Sequence, residues 1–239
     1  MTDSIVHVAA YRAARARVLA RIEAACARAG RDPAEVTLIA VSKTIVAELL
    51  RDALTAGLGP FGENRVQEAV AKAPDVPGAR WQLVGPLQSN KVRLALQLFE
   101  SIQSVDTFDL GERLARIAPE VRPGVRYPIL LQVNVDEDPA KAGFDPAALE
   151  VAARRLGAAE ALEIRGLMTI GRLATEPELA RPTFRRLAAL SRSLHDAGVP
   201  IGSELSMGMS DDFEVAVEEG ATIVRVGRAL FGERQPLTA

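Results

Sequence analysis

The chain has 239 residues, 48% of them apolar, which is enough to bury a large core in one or two domains. Its formal net charge of −2 argues against nucleic acid or an anionic membrane surface as a partner. The single cysteine, Cys26, excludes an intramolecular disulfide framework and suits a reducing compartment. No apolar run approaches the roughly 18 residues of a membrane-spanning helix, so we expect a cytoplasmic protein.

The first element, over residues 1–30, is amphipathic and rich in arginine, and it predicts a helix that ends near Gly30. A targeting peptide can have a similar composition, but Asp3 and Glu23 argue against one. Eight short apolar runs follow, separated by amphipathic stretches that predict helices. The predicted strands are 36–43, 58–64, 80–85, 100–106, 127–136, 163–170, 202–207 and 222–227.

This alternation of strands and helices is typical of a parallel α/β sheet. Several runs are nearly continuous in Val, Ile and Leu, as in parallel strands that are buried on both faces. Eight such units favour a single (β/α)8 TIM-like barrel over residues 1–239, with the helix of 1–30 packed on the barrel. The alternative is a doubly wound open sheet, whose ligand would lie at a topological switch point.

Lys43 ends the first predicted strand, in a chain with 25 arginines and only four lysines. The active site of a barrel lies at the carboxyl ends of its strands. Partial burial lowers the pKa of an amine, and a deprotonated lysine can form an imine, which arginine cannot do. A structural lysine that extends its amine to solvent is the alternative. Lys72, in contrast, is predicted to be a surface helix residue.

Small and hydroxyl-bearing residues follow the seventh and eighth predicted strands. Gly208 would let the backbone approach an anion closely, and Ser206 would donate a hydroxyl. Ser210 is typical of a helix N-cap, and Gly227 follows the eighth strand. Phosphate sites in barrels are often built from these two loops, with backbone N–H groups as donors. Together the two loops favour a phosphate site over ordinary capping and turns.

Arg225 lies inside the apolar run of the eighth strand, where a charge needs a partner. The partner could be a ligand's pyridine nitrogen, or a carboxylate in a buried ion pair with Glu204, Glu163 or Glu63. A lysine nucleophile opposite a phosphate site fits pyridoxal 5′-phosphate (PLP) or a phosphorylated sugar, as in a Schiff-base aldolase. An aldolase would have no use for Arg225 placed against a pyridine ring.

These residues lie in segments that resemble the pyridoxal phosphate homeostasis protein family, also described as PLP-binding proteins of the proline synthetase co-transcribed type. The resemblance runs in order from about Val36 to Gly232. The segments are VSKT (41–44), FGENRVQE (61–68), GPLQSNK (85–91), QVNVDEDPAKAGF (132–144), RGLMTI (165–170), LSMGMSDDFEVAVEEGA (205–221) and VRVGRALFG (224–232).

The resemblance implies a fold-type III barrel, like the N-terminal domain of alanine racemases, with PLP at its mouth. It also implies a role in the intracellular homeostasis of the cofactor, without evident turnover, with apo-forms of PLP enzymes as candidate partners. The residues implied in cofactor binding are Lys43 for the imine, Asn64 and Met168 for the pocket wall, Arg225 for the pyridine nitrogen, and Ser206, Gly208, Gly227 and Arg228 for the phosphate.

Two positions depart from the family pattern. Arg228 stands where the family more often has a hydroxyl-bearing or small residue, so the backbone amide is the safer phosphate donor. Gln82 stands where a histidine usually follows Trp81, so a proton-transfer role for that histidine does not carry over.

The sequence also argues against amino-acid turnover. A PLP racemase needs a second acid/base opposite the lysine, but the tyrosines and histidines fall in helices or at a strand start, and no second domain is evident. These residues are Tyr11, Tyr127, His7 and His195. An arginine at the pyridine nitrogen would also weaken the ring as an electron sink. We therefore expect a monomeric cofactor carrier without a metal site, and a racemase or decarboxylase is the alternative.

Overall fold

The computed structural model describes residues 2–171 and 176–232. Over that part of the chain, the strands are β1 (Thr37–Val41), β2 (Phe61–Glu63), β3 (Trp81–Leu83), β4 (Ser101–Val105), β5 (Tyr127–Gln132), β6 (Leu162–Met168), β7 (Glu204–Ser206) and β8 (Ile223–Val226). Each overlaps one predicted strand, because short runs of branched apolar residues favour extended backbone.

Helices cover the outside of the sheet. In the described ranges they are α1 (Thr2–Ala29), α2 (Ala47–Thr55), α3 (Val66–Lys72), α4 (Val92–Leu98), α5 (Phe108–Val121), α6 (Pro146–Gly157), α7 (Arg181–Asp196), α8 (Phe213–Glu218) and α9 (Arg228–Phe231). None of these is both long and apolar enough to cross a membrane.

The sheet closes on itself. Neighbouring strands pair in parallel from β1 to β8, and β1 also pairs with β8. The closing register joins Thr37 to Ile223 and Ala40 to Val226. A doubly wound sheet would leave two edge strands, so the barrel prediction is confirmed and the open-sheet alternative is wrong.

Apolar side chains fill the barrel from inside and outside. Ile39, Leu130, Met168 and Ile223 come from strands on different sides of the barrel and form one interior cluster. A larger cluster lies between the strands and the surrounding helices. Burying side chains of this size stabilises the fold by about 1.5–3 kcal/mol each. Side chains therefore fill the interior of the barrel, as is usual for this fold.

Helix α1 packs against α2, α8 and α9. Its buried face includes Val18, Ile22 and Cys26, and Arg21 pairs with Glu214 of α8 at 2.8 Å. Partly exposed ion pairs contribute only about 0–1 kcal/mol, so the apolar face of α1 accounts for most of its attachment.

Candidate active site at the barrel mouth

A cavity of about 340 Å³ opens at the carboxyl ends of the strands. Small-molecule sites occupy roughly 300–1,000 Å³, so the cavity can hold a compact ligand. Its wall is built from Val41, Lys43, Asn64, Val84, Ile170, Met209, Ser210, Asp211, Arg225, Gly227 and Arg228. The predicted residues Lys43, Asn64, Arg225, Gly227 and Arg228 therefore meet around one space, although they are far apart in the sequence.

Lys43 lies two residues beyond β1, in a turn rather than at the strand end predicted from the sequence. The N–H of Ile45 donates to the carbonyl of Ser42 at 3.0 Å and closes this turn. Thr44 has a φ of +69°, which is unfavourable for a β-branched residue and costs on the order of 1–3 kcal/mol. Such a conformation persists only where its surroundings hold it, so the backbone next to Lys43 is tightly constrained.

A buried ion pair lies directly behind the Lys43 turn. Lys72 donates to Glu63 Oε1 at 2.9 Å and to the carbonyl of Ser42 at 3.1 Å. Ser42 Oγ donates to the same carboxylate oxygen at 2.7 Å. The Lys72 side chain is only 14% exposed and that of Glu63 is fully buried, so the prediction of a surface lysine is wrong. Lys72 ends α3, which packs against β2, and its side chain reaches the carboxylate of Glu63 at the end of that strand.

Glu63 is electrostatically costly in this position. Burial raises the pKa of its carboxyl group, and the attraction of Lys72 opposes this rise. Its second oxygen, Oε2, is buried without a hydrogen-bond partner among the described residues. A charge in such a place depends strongly on its one cationic neighbour. The sequence already indicated that Glu63 would need a buried partner, because it is an acidic residue inside an apolar run.

Arg225 lies on β8, is 5% exposed and reaches the cavity wall. Its guanidinium donates to Ser206 Oγ at 2.6 Å and to the carbonyl of Thr169 at 2.8 Å. Both acceptors are neutral, and two of the expected carboxylate partners pair elsewhere, Glu63 with Lys72 and Glu163 with Arg165. Burial lowers the pKa of Arg225 to about 10, and attraction to Asp212 opposes the shift. The group is therefore a cation at neutral pH.

Ser206 lies behind Arg225 rather than on the cavity wall. It is fully buried, donates its hydroxyl proton to Gln103 Oε1 at 2.6 Å and accepts from Arg225. Its predicted contact with a phosphate would require a hydroxyl that is already used in both directions. Gln103 was missed by sequence reasoning, although a glutamine inside the apolar fourth strand was a signal of a buried polar contact.

Gly208 lies against helix α8. With φ at +90°, a Cβ there would lie 2.5 Å from the Cβ of Ala216 and 2.9 Å from the Cα of Phe213. The backbone thus approaches a helix closely, whereas the sequence prediction placed an anion there.

Ser210 holds the loops after β7 and β8 together at the cavity wall. The backbone N–H groups of Gly227 and Ala229 donate to its Oγ at 3.2 and 3.4 Å. Arg228 lies beside it on the wall, and its half-exposed side chain pairs with Asp211. Because Ser210 Oγ accepts from both amides, its own proton is left to donate. The wall therefore combines a hydroxyl donor and a cation, which suit an anionic group.

Asn64 follows β2 and contributes to the opposite wall. Gly85 fits against it so closely that a Cβ would lie 2.4 Å from the carbonyl oxygen of Asn64. Met168, which was predicted to line the pocket, is instead fully buried in the interior cluster with Ile39 and Leu130. Ile170, two residues farther along, is on the wall. Met168 is the last residue of β6 and points into the barrel interior, whereas Ile170 lies beyond the strand end, at the level of the cavity.

The tyrosines and histidines lie away from this cavity in the described part of the chain. Tyr127 is buried at the start of β5 and donates to the carbonyl of Phe99 at 2.6 Å. Tyr11 packs on Phe231 from α1. The remaining two, His7 and His195, are on α1 and α7.

The chain is similar to known proteins over nearly its whole length. A family model described as the N-terminal domain of alanine racemase matches residues 14–235. The pyridoxal phosphate homeostasis protein of Pseudomonas aeruginosa is 42% identical over 221 residues, which are 92% of this chain and 94% of that protein.

Solved structures agree with this similarity. PipY of Synechococcus elongatus, determined with PLP bound, is 42% identical and superimposes with a TM-score of 0.77 over 89% of this chain and 100% of that one. The alanine racemase of Clostridium difficile shares the fold alone, at 15% identity and a TM-score of 0.67 over 84% of this chain and 52% of its own. The chain therefore belongs to the pyridoxal phosphate homeostasis protein family, within the group defined by the alanine racemase N-terminal domain.

Proposed function

We propose that this protein binds PLP through an imine with Lys43 and takes part in the intracellular homeostasis of that cofactor. The observation that carries the proposal is the cavity itself. Lys43 is on one wall of this space. The other walls hold the buried guanidinium of Arg225 and the two loops that follow β7 and β8, which Ser210 holds together. An aldehyde, a pyridine nitrogen and a phosphate are the three groups of PLP that these walls would bind.

The residues present fit the cofactor, with changes from the sequence prediction at the phosphate site and at Met168. We assign the phosphate to the hydroxyl of Ser210 and the amide of Arg228, because both residues line the cavity. Gly227 would shape this wall, since its N–H already donates to Ser210 Oγ. Ser206 and Gly208 would support that wall from behind, and Met168 would form part of the floor.

Arg225 would face the pyridine nitrogen. A guanidinium has only donors, so the nitrogen it meets must be an unprotonated acceptor. When bound, the cofactor supplies an aldehyde carbon that can be passed from Lys43 to another primary amine. An unprotonated ring withdraws electrons weakly, which favours such a transfer over carbanion chemistry.

We further propose that the protein is a monomeric, cytoplasmic carrier formed by one domain, that it has no amino-acid turnover, and that apo-forms of PLP enzymes receive its cofactor. Support for the lack of turnover comes from the cavity wall, whose titratable side chains are Lys43, Asp211, Arg225 and Arg228. Asp211 is already paired with Arg228, so a free second base opposite Lys43 is not evident among the described residues.

The test is the visible spectrum of the protein mixed with PLP. We expect a band at ~420 nm that borohydride abolishes, with the reduced cofactor left attached to the protein. Reduction of an imine leaves a stable amine bond to the lysine, whereas a non-covalently held aldehyde is reduced to an alcohol that dissociates. Lys43→Ala should lack the band, and Lys91→Ala, altered at a lysine outside the cavity, should retain it.

Each other outcome points to another function. A missing band in the wild type would contradict PLP binding and leave the sugar-phosphate aldolase reading. Exchange of the α-proton of alanine in D2O by the loaded protein would instead indicate a racemase.

A further inference from the structure

Four polar side chains form a continuous line of hydrogen bonds across the barrel. Arg225 of β8 donates to Ser206 of β7, Ser206 donates to Gln103 of β4, and Gln103 Nε2 donates to Gln82 Oε1 of β3. Each of the three donor–acceptor distances is 2.6 Å. The middle link joins residues 103 positions apart, on strands that are not neighbours in the sheet.

The direction of the line is set from its cationic end, because a guanidinium can only donate. A serine hydroxyl has one proton, and Ser206 gives it to Gln103 Oε1, so its oxygen is free to accept from Arg225. The amide of Gln103 is then oriented with its NH2 group towards Gln82. Reversing the Gln103 amide alone would bring two acceptor oxygens together at Gln82. The line therefore holds Ser206 Oγ as an acceptor for the guanidinium.

The middle of the hydrogen-bonded line is buried, so its members keep these partners. Gln103 and Ser206 are 1% and 0% exposed, so neither can exchange its partner for bulk water, and buried hydrogen bonds of this kind are costly to break. Ser206 Oγ and the Thr169 carbonyl together hold both terminal nitrogens of the guanidinium. Both hydrogen-bond acceptors are neutral, so the guanidinium is positioned without a direct ion pair.

We propose that Ser206 and Gln103 are positioning residues that aim Arg225 into the cavity and present its remaining N–H groups to the bound ligand. This inference rests on the proposed function, because the ligand atom that Arg225 meets is taken to be the pyridine nitrogen of PLP. It gives Ser206 a role through Arg225 in place of the direct phosphate contact expected from the sequence.

The experiment measures the dissociation constant of PLP by titrating the imine band in four proteins: wild type, Ser206→Ala, Arg225→Met and the double variant. We expect the imine to form in all four. Ser206→Ala should weaken affinity about tenfold, which is the size expected for one hydrogen bond to a charged group. In the Arg225→Met background the same change should have less than about a twofold effect, because there is no guanidinium left to aim.

A second variant and a control separate a loss of positioning from a loss of folding. Gln103→Leu removes the next member of the line and should weaken PLP affinity in the same direction, while the thermal midpoint of each ligand-free variant is recorded. Gln132→Leu is the matched control, because Gln132 is also a buried glutamine in a strand but donates to the carbonyl of Ala142. Its PLP affinity should stay within about twofold of the wild type.

The alternatives are distinguishable. Equal losses from Ser206→Ala with and without Arg225 would show a merely structural role and overturn the inference. Unchanged affinity in both Ser206→Ala and Gln103→Leu would also overturn it, while a persisting wild-type band would leave the proposed function intact. If the wild type forms no imine, the proposed function fails, and the inference fails with it.

Discussion

Removing the amine of Lys72 is the most informative perturbation of the ligand-free protein. Lys72→Met keeps an unbranched side chain of similar length but removes the cation that pairs with Glu63 and holds the carbonyl of Ser42. Glu63 would remain fully buried, with Ser42 Oγ as its described donor. The turn that carries Lys43 would lose one of its supports at the same time.

The size of the effect follows from the burial of the pair. Removing one partner of a buried ion pair costs about 3–5 kcal/mol, and the 14% exposure of Lys72 places this pair at the lower end. Glu63 could instead take up a proton, which at pH 7 costs about 3.7 kcal/mol for a group with an ordinary pKa of about 4.3. We expect a loss of about 3 kcal/mol at pH 7, or a fall in Tm of roughly 6–12 °C for a chain of this size.

The loss should depend on pH with a definite sign. In the variant, the pKa of Glu63 in the folded state is raised further above its unfolded value. Protonation of Glu63 then favours the folded state at low pH, and this contribution to the free energy of unfolding is lost as pH rises through the folded-state pKa. Since proton uptake at pH 5 costs only about 1 kcal/mol, the gap between variant and wild type should narrow between pH 7 and pH 5.

Urea denaturation followed by far-UV circular dichroism at both pH values measures these differences. Lys91→Met is the control for losing a lysine outside this network. The double variant Lys72→Met/Glu63→Gln removes both charges and should recover to within about 1 kcal/mol of the wild type. The reasoning is refuted if Lys72→Met costs no more than Lys91→Met, if the loss is equal at both pH values, or if the double variant is no more stable than the single one.

Three further changes test other parts of the structure. Gly85→Ala should displace Asn64 from the wall, because the added Cβ would lie 2.4 Å from its carbonyl oxygen, and PLP affinity should fall at least about tenfold. Tyr127→Phe should lower the free energy of unfolding by about 1–3 kcal/mol, since it leaves the buried carbonyl of Phe99 without its donor. Arg228→Ala should change stability by less than about 1 kcal/mol, because its ion pair is half-exposed.

These outcomes are checked by PLP titration and urea denaturation of the same samples. Tyr127→Phe should leave PLP affinity unchanged, because the residue is at the opposite end of the barrel from the cavity. A large loss of affinity in Arg228→Ala would show that the side chain, rather than the amide, holds the phosphate. Normal affinity in Gly85→Ala would contradict the role of Asn64 in the wall.

Much of the fold was determined by the sequence alone. The eight apolar runs predict eight strands because strands buried on both faces need no polar alternation, and each run contains or overlaps an observed strand. The position of Lys43 after the first run placed it at the barrel mouth, because all strands of a parallel barrel end on the same side.

The identity of the side chains that face the cavity was decided by the tertiary structure. Ser206 and Ser210 are only four residues apart and chemically alike, yet one is behind Arg225 and the other on the wall. Met168 and Ile170 are only two residues apart, yet Met168 is in the interior cluster and Ile170 is on the wall. The direction of a side chain at the end of a strand depends on register and on the next loop, and neither can be read from local composition.

The buried polar contacts were likewise decided only on folding. Lys72 has the sequence pattern of a solvated helix residue, and only the approach of α3 to the ends of β1 and β2 brings it to Glu63. Gln103 and Ser206 meet because barrel closure brings together residues 103 positions apart. Sequence periodicity reports which face of an element is buried, whereas the partner across the core depends on how all eight strands are arranged.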